Sequence, residues 1–176
     1  MKDSEPERSI WDESGFERFA THYHDFYPAE TREDLEFRLT RRLILVSRWW
    51  TTLIDEAIKR ETGQSRARWQ TLFVIAFSGE STTTMMLSER LGVQWPSLVR
   101  TLNQLEADGL IARDDNPDDR RSRLISLTSE GRQTIRKVKP VLDRTRHSVL
   151  EHVSDDDLRK AIELLGVIPE GSGKKL

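Results

Sequence analysis

The stretch that decides the fold runs Leu87-Ser-Glu-Arg-Leu-Gly-Val-Gln-Trp-Pro-Ser-Leu-Val-Arg-Thr-Leu-Asn-Gln-Leu-Glu-Ala-Asp-Gly-Leu-Ile111. Leu87 and Leu91 end one short helical pattern at Gly92, and Ser81-Thr82-Thr83-Thr84 before it offers N-cap hydroxyls. Trp95-Pro96 opens the next pattern, since a proline in a first turn removes an N–H that would be unpaired there anyway. Leu98, Val99, Leu102 and Leu105 give that second helix an apolar side, and Asp108-Gly109 ends it. Two short helices joined at Gly92-Val93-Gln94 predict a helix–turn–helix.

Beyond Gly109 the period changes from helical to alternating. Leu110 to Arg113 reads as a strand, Asp115-Asn-Pro-Asp-Asp119 as a turn, and Arg123 to Leu127 as the returning strand. A hairpin directly after a helix–turn–helix is a wing.

Upstream, a helical pattern from about Arg32 to Glu61 carries Leu35, Leu39, Leu43, Val46, Trp50, Leu53 and Ala57 as one stripe. Phe37, Ile44, Trp49, Ile54 and Ile58 widen it beyond the face that one core needs. A helix apolar on more than one side wants two partners, and a second subunit is the expected one. Ser65 caps a further helix whose expected buried side is Trp69, Leu72, Phe73, Ile75, Ala76 and Phe77. After the wing, helix returns from Ser129, with Pro140 expected to interrupt and kink it. Ser154 then caps a last helix whose first turn holds Asp155, Asp156 and Asp157. The fold class is therefore mostly α with a small β-wing. The expected divisions are an acidic aromatic extension over 1–31, a long dimerisation helix over 32–64, a winged-helix lobe over 65–131, dimerisation helices over 132–168 and a disordered tail over 169–176.

Composition narrows the function. The 176 residues contain no cysteine, which removes disulfides, thiolate catalysis and zinc ribbons. No apolar run is long enough for a membrane span, and the acidic start has no signal-peptide core, so a cytoplasmic location is expected. Net charge is −2, yet residues 1–36 carry 11 acids against 4 bases, leaving +5 for the remainder. Arginine makes up 21 of the 28 basic residues, and its planar fork suits phosphates and guanine edges. No nucleophile elbow, phosphate loop or acid–base cluster points to an enzyme. His22 and His24 stand about 200° apart on a helix, and with only His147 and His152 besides, no metal or other cofactor is expected.

The Leu87–Ile111 stretch resembles the MarR family of winged-helix regulators. Pro96-Ser97-Leu98-Val99-Arg100-Thr101-Leu102 is most similar to the SlyA branch, and Asp119-Arg120-Arg121 followed by Leu127-Thr128 resembles the family's D-x-R…LT wing signature. The resemblance implies a homodimer, each winged helix reading half of a pseudo-palindromic DNA operator. It also implies a cavity where small anionic or aromatic effectors loosen DNA binding, most simply in a repressor. By family position Arg121 enters the minor groove, with Asp119 orienting it through a salt bridge.

The residues themselves suit those roles. A recognition helix turns its N-terminal side chains to base edges; here these are Gln94, Trp95, Pro96, Ser97, Arg100 and Thr101. Arg100 can take guanine O6 and N7 bidentately, worth about 1–3 kcal/mol of discrimination. Without the motif, a solvated surface charge is the ordinary reading of such a residue. Trp95 is large for its place and serves either the duplex or intramolecular packing. Arg120, Arg121 and Arg123 crowd the wing, where an arginine reads a narrow minor groove; the plainer account is local ion pairing with the neighbouring aspartates. Thr82, Thr83 and Thr84 can hold a phosphate or simply cap a helix. Arg48, Trp49, Trp50, Arg68, Trp69 and Phe73, with Arg66, form a candidate effector site; aromatics at helical spacing are more often core. An arginine buried beside tryptophan would need an anion, which a ligand can supply. Two alternatives stand: a DNA-binding regulator without ligand control that competes with other DNA-bound proteins, and a winged-helix module that binds protein, favoured by the acidic extension and Asp-rich wing. The six aromatics between Trp11 and Tyr27 are expected to pack on a partner subunit.

Overall fold

A computed structural model describes residue 16 and residues 19–169. In chain order the elements are α1 (Tyr23–Phe26), α2 (Arg32–Thr62), α3 (Arg66–Phe77), α4 (Thr84–Leu91), α5 (Trp95–Ala107), β1 (Ile111–Asp115), β2 (Arg123–Leu127), α6 (Ser129–Leu150) and α7 (Asp155–Val167). They form two compact units, one up to Leu53 and one from Ile54, the division falling inside α2.

In the first unit, aromatic residues hold the chain before α2. The rings of Phe16, Tyr23 and Tyr27 lie against Phe37 of α2, with centroids 6.1, 5.1 and 4.8 Å away. Tyr23 Oη donates to Asp34 Oδ1 at 2.6 Å, and the Glu30 N–H donates to Asp34 Oδ2 at 3.0 Å. Arg38 stands 3.6 Å from the same carboxylate. Asp34 is thus fully buried yet matched by two donors and a cation, the condition under which a buried charge is tolerated. These contacts are within one chain, whereas a partner subunit was the expected seat for the aromatics. Phe19 and Phe26 remain exposed, and Trp11 lies outside the described residues, as does 170–176 of the expected tail.

The second unit is built on one cluster. Leu72 and Ile75 of α3, Leu87 of α4, Leu98, Leu102 and Leu105 of α5, Leu110, and Ile111, Ile125 and Leu127 of the hairpin are all buried together. Leu98, Leu102 and Leu105 come from one side of α5 at helical spacing, and Ile125 and Leu127 are alternate residues of β2, so the two periods read from the sequence converge on the same interior. The strands pair antiparallel, Ile111 opposite Leu127 and Asp115 opposite Arg123. Thr82 adds a one-residue third rung: its N–H donates to Ile125 O at 3.0 Å, and the Ile125 N–H donates back at 2.7 Å.

Helix ends follow the sequence closely. Thr83 caps α4 by accepting the Met86 N–H, Thr128 caps α6 through the Gly131 N–H, and Ser154 caps α7 through the Asp157 N–H. Ser65 occupies its cap position without a side-chain bond. Two sequence expectations fail. Phe77 is 77% exposed, because α3 ends there and its last side chain runs past the core. Pro140 does not interrupt α6, which runs on through it with Val138, Val141 and Leu142 buried on both sides.

Candidate nucleic-acid interface

Gly92 makes the turn between α4 and α5 possible. Its φ is +62°, left-handed backbone that a side chain would strain. Ser88 closes the turn, its Oγ donating to Val93 O at 2.9 Å. Gln94 then occupies the N-cap of α5 in extended backbone with no side-chain cap bond, so its amide stays available. Gln94, Trp95, Pro96, Ser97 and Arg100 are all exposed. Thr101 is not: it is buried, and its Oγ1 donates to Ser97 O at 3.1 Å within the same helix. One residue beyond Arg100, the helical wheel has already turned toward the core, so Thr101 does not present its hydroxyl to a base.

The threonine run separates in the same way. Thr83 caps and Thr84 opens α4, both half-buried, whereas Thr82 is 2% exposed as the third rung of the sheet. Its Oγ1 has no hydrogen-bond partner, and burial removes it from any phosphate.

At the wing, local hydrogen bonds shape the turn. Asn116 Nδ2 donates to Ser122 Oγ at 2.8 Å, the Asp118 N–H donates to Asn116 Oδ1 at 3.1 Å, and the Ser122 N–H to Asp119 O at 3.0 Å. Asp119 accepts the backbone N–H of Arg121 at 2.9 Å, where a salt bridge to its guanidinium was expected. The carboxylate shapes the turn and leaves that guanidinium free. Arg123 is committed to Asp115 at 2.9 Å, an exposed pair of little energetic weight. Among the described residues, Arg100, Arg120 and the Arg121 side chain make no hydrogen bond or ion pair.

Sequence reasoning missed what lies between. A groove of about 500 Å³ separates the α4 and α5 starts from the wing, with Met85, Met86, Trp95 and Val99 on one side and Asn116 and Arg121 on the other. Arg113 also lines it, its guanidinium donating to Asn103 Oδ1 at 2.9 Å and lying 3.3 Å from Glu106. Met85 and Met86 follow directly on the cap threonines, and that was the signal available: of the residues of α4, Leu87 is the buried one.

The candidate effector residues divide between the two units. Arg48, Trp49 and Trp50 belong to the first, with Trp49 and Trp50 rings 6.5 Å apart. Arg68, Trp69 and Phe73 belong to the second. There Arg68 pairs with Asp108 at 2.7 Å, and Arg66 pairs with Asp55, which also accepts from Trp69 Nε1 at 3.3 Å. The chain itself therefore supplies the anions that these arginines need. Trp69, Phe73 and Phe77 line a shallow groove of about 260 Å³ with Arg90 and Leu91. Among the described residues no cluster of His, Asp or Glu is disposed to hold a metal, and no helix is long and apolar enough to cross a membrane.

Residues 62–122, from the end of α2 through the wing turn, match the model of the MarR family. A DNA complex of Sco3205, a MarR family transcriptional regulator from Streptomyces coelicolor, superposes with a TM-score of 0.71 at 22% identity, over 80% of this chain and 92% of that one. A MarR mutant from E. coli complexed with operator DNA gives 0.68 at 22%, over 80% and 100%. The transcriptional regulator PA3341 gives 0.68 at 28%, over 77% and 99%. The fold is that of MarR winged-helix structures.

Proposed function

From that MarR-family lobe as premise, we propose that the chain is a homodimeric, sequence-specific DNA-binding transcriptional regulator, α5 entering a major groove and the wing the flanking minor groove. The observation that carries the reading is that Arg100 on the exposed side of α5 and Arg120 and Arg121 at the wing tip all keep their guanidiniums uncommitted on the winged helix. An arginine that pairs with nothing in its own chain keeps all its donors for an outside acceptor. Arg100 is suited to a guanine edge and Arg121 to the negative potential of a narrow minor groove. Structures of similar fold have been solved with DNA, which favours the same use of this one.

The dimer is proposed from apolar surface. Ile44, Val46 and Trp49 of α2 and Ile162, Leu164 and Val167 of α7 are about half exposed or more. Apolar helix faces of this extent mark association surfaces. An aromatic or anionic effector is the finer part of the proposal. Its site is drawn from the groove of Trp69, Phe73 and Arg90, Arg66 and Arg68 being already paired with Asp55 and Asp108, and it acts by favouring a conformation that does not fit DNA, with about 1–3 kcal/mol of coupling. A SlyA-like mode, without effector and by competition with other DNA-bound proteins, is consistent with the Pro96–Leu102 motif.

The test is binding of the purified protein to a pool of short genomic fragments at two salt concentrations, beside Arg100→Ala and Arg121→Ala. Phosphate contacts make log K fall linearly with log salt. Selective, salt-sensitive binding weakened by both substitutions is the expected result. Binding without selectivity at low salt would overturn the proposal and favour a protein partner for the winged helix.

A further inference from the structure

Trp95 is unexplained by the reading above. It is the first residue of α5, 52% exposed, and among the described residues its indole N–H has no acceptor. Met85 and Met86, both exposed, line the same groove. A surface that binds only phosphates wants cations and hydroxyls; a tryptophan and two methionines contribute nothing to that.

We infer that Trp95, backed by Met85 and Met86, reads the C5-methyl group of a thymine in each half-site. The inference rests on the DNA-regulator reading and assigns a base to one of its positions. On the major-groove floor of B-DNA the bases present donors, acceptors and one apolar group, the thymine methyl, so an apolar side chain there has one specific target. Position on the helix agrees. Trp95 and Arg100 are five residues apart, about 140° around an α-helix. Arg100 therefore lies on the outward side of α5, while Trp95 lies on the flank that faces the wing groove, beside Val99. The methyl carbon is attached to the side of the pyrimidine nearest its own strand's backbone. A flank running between the cap of α4 and the wing, both suited to backbone contact, meets that side of the base first. Charge complementarity holds the duplex there: Arg121 borders the groove with its guanidinium free. The thymine so read lies on the wing side of the guanine taken by Arg100.

The experiment uses the full-length protein and the operator that fragment selection yields. Thymines of one half-site are replaced singly by deoxyuridine, which removes the methyl and keeps every hydrogen-bonding group. Wild type loses about fourfold in affinity at one or two adjacent positions, the factor that burying a single methyl corresponds to. Trp95→Ala binds the natural operator more weakly and no longer distinguishes thymine from deoxyuridine there, while it still distinguishes thymine from cytosine elsewhere. Met85→Ala, an exposed site whose change leaves the core intact, reduces the same discrimination. Selective binding by wild type that is indifferent to every deoxyuridine overturns this inference alone, as does Trp95→Ala retaining the discrimination or losing no affinity. Wild type that binds all duplexes alike overturns the DNA reading itself.

Discussion

Gly131→Ala should destabilise the protein although it sits in a helix, where alanine is ordinarily the better residue. Gly131 is in the first turn of α6, and a Cβ built there lies 2.1 Å from the carbonyl oxygen of Leu110 and 3.2 Å from Leu127 Cδ2. Reaching the 3.4 Å of ordinary contact requires the backbone at Leu110 to move by 1.3 Å, since no flexible side chain can yield instead. That carbonyl accepts the Thr128 N–H at 3.2 Å, and Thr128 Oγ1 donates to Gly109 O at 2.7 Å. A shift of this size breaks both bonds. Two hydrogen bonds at about 1 kcal/mol each, plus about 1–3 kcal/mol for overpacking, less about 1 kcal/mol of helix propensity, give a net loss of about 2–4 kcal/mol. Urea unfolding at one fixed protein concentration measures it, because an associating protein's midpoint depends on concentration. Gly166→Ala in α7 is the control: nothing lies within 4 Å of its Cβ, so the change ranges from neutral to about 1 kcal/mol stabilising. A Gly131→Ala midpoint at or above that of wild type would refute the close-approach argument.

Thr82→Val replaces a buried, unpartnered hydroxyl by a methyl of the same shape, and should raise stability by about 1 kcal/mol while leaving DNA affinity unchanged. Loss of DNA affinity would restore Thr82 as a phosphate contact. Tyr23 is pushed up to about 12 by partial burial and by donating to Asp34, so ultraviolet absorbance should show a late tyrosine ionisation. Since the folded value lies above the ordinary 10.0, the stability it confers is complete below pH 10 and is lost as pH rises toward 12. Tyr23→Phe should abolish the late phase; a wild type without a late phase would contradict the Tyr23–Asp34 bond. Asp34 is held below the usual carboxylate range by the Tyr23 hydroxyl, the Glu30 N–H and Arg38. Its contribution is therefore present above pH 3.8 and is lost as pH falls through the lowered value.

Much of the winged-helix geometry could be read from sequence because it depends on local chemistry. A cap within Ser81–Thr84, the helix stop at Gly92 and the Trp95-Pro96 helix start need only neighbours within four residues, and periods of 3.6 and 2 assign Leu98, Leu102, Ile125 and Leu127 to the interior. Exposure of Arg100 followed from the same wheel. Thr101, one step further round, was misplaced although the wheel already sets it three residues after Leu98 and four before Leu105, on the side that turns to the core.

The sequence by itself determined the order and kind of elements, for capping, turn chemistry and hydrophobic period act over a few residues and leave their mark there. Only the tertiary structure decided which side chains remain available. Thr82 loses its hydroxyl to the sheet because Ile125, 43 positions later, pairs with its backbone. Arg68 is spent on Asp108 and Arg123 on Asp115, while Arg121 stays free because Asp119 takes a backbone N–H. Phe16, Tyr23 and Tyr27 find their aromatic partner in Phe37 of the same chain. Identical residue types are saturated or left open according to which distant group folding brings within bonding distance, and that distance is not a local property of the chain.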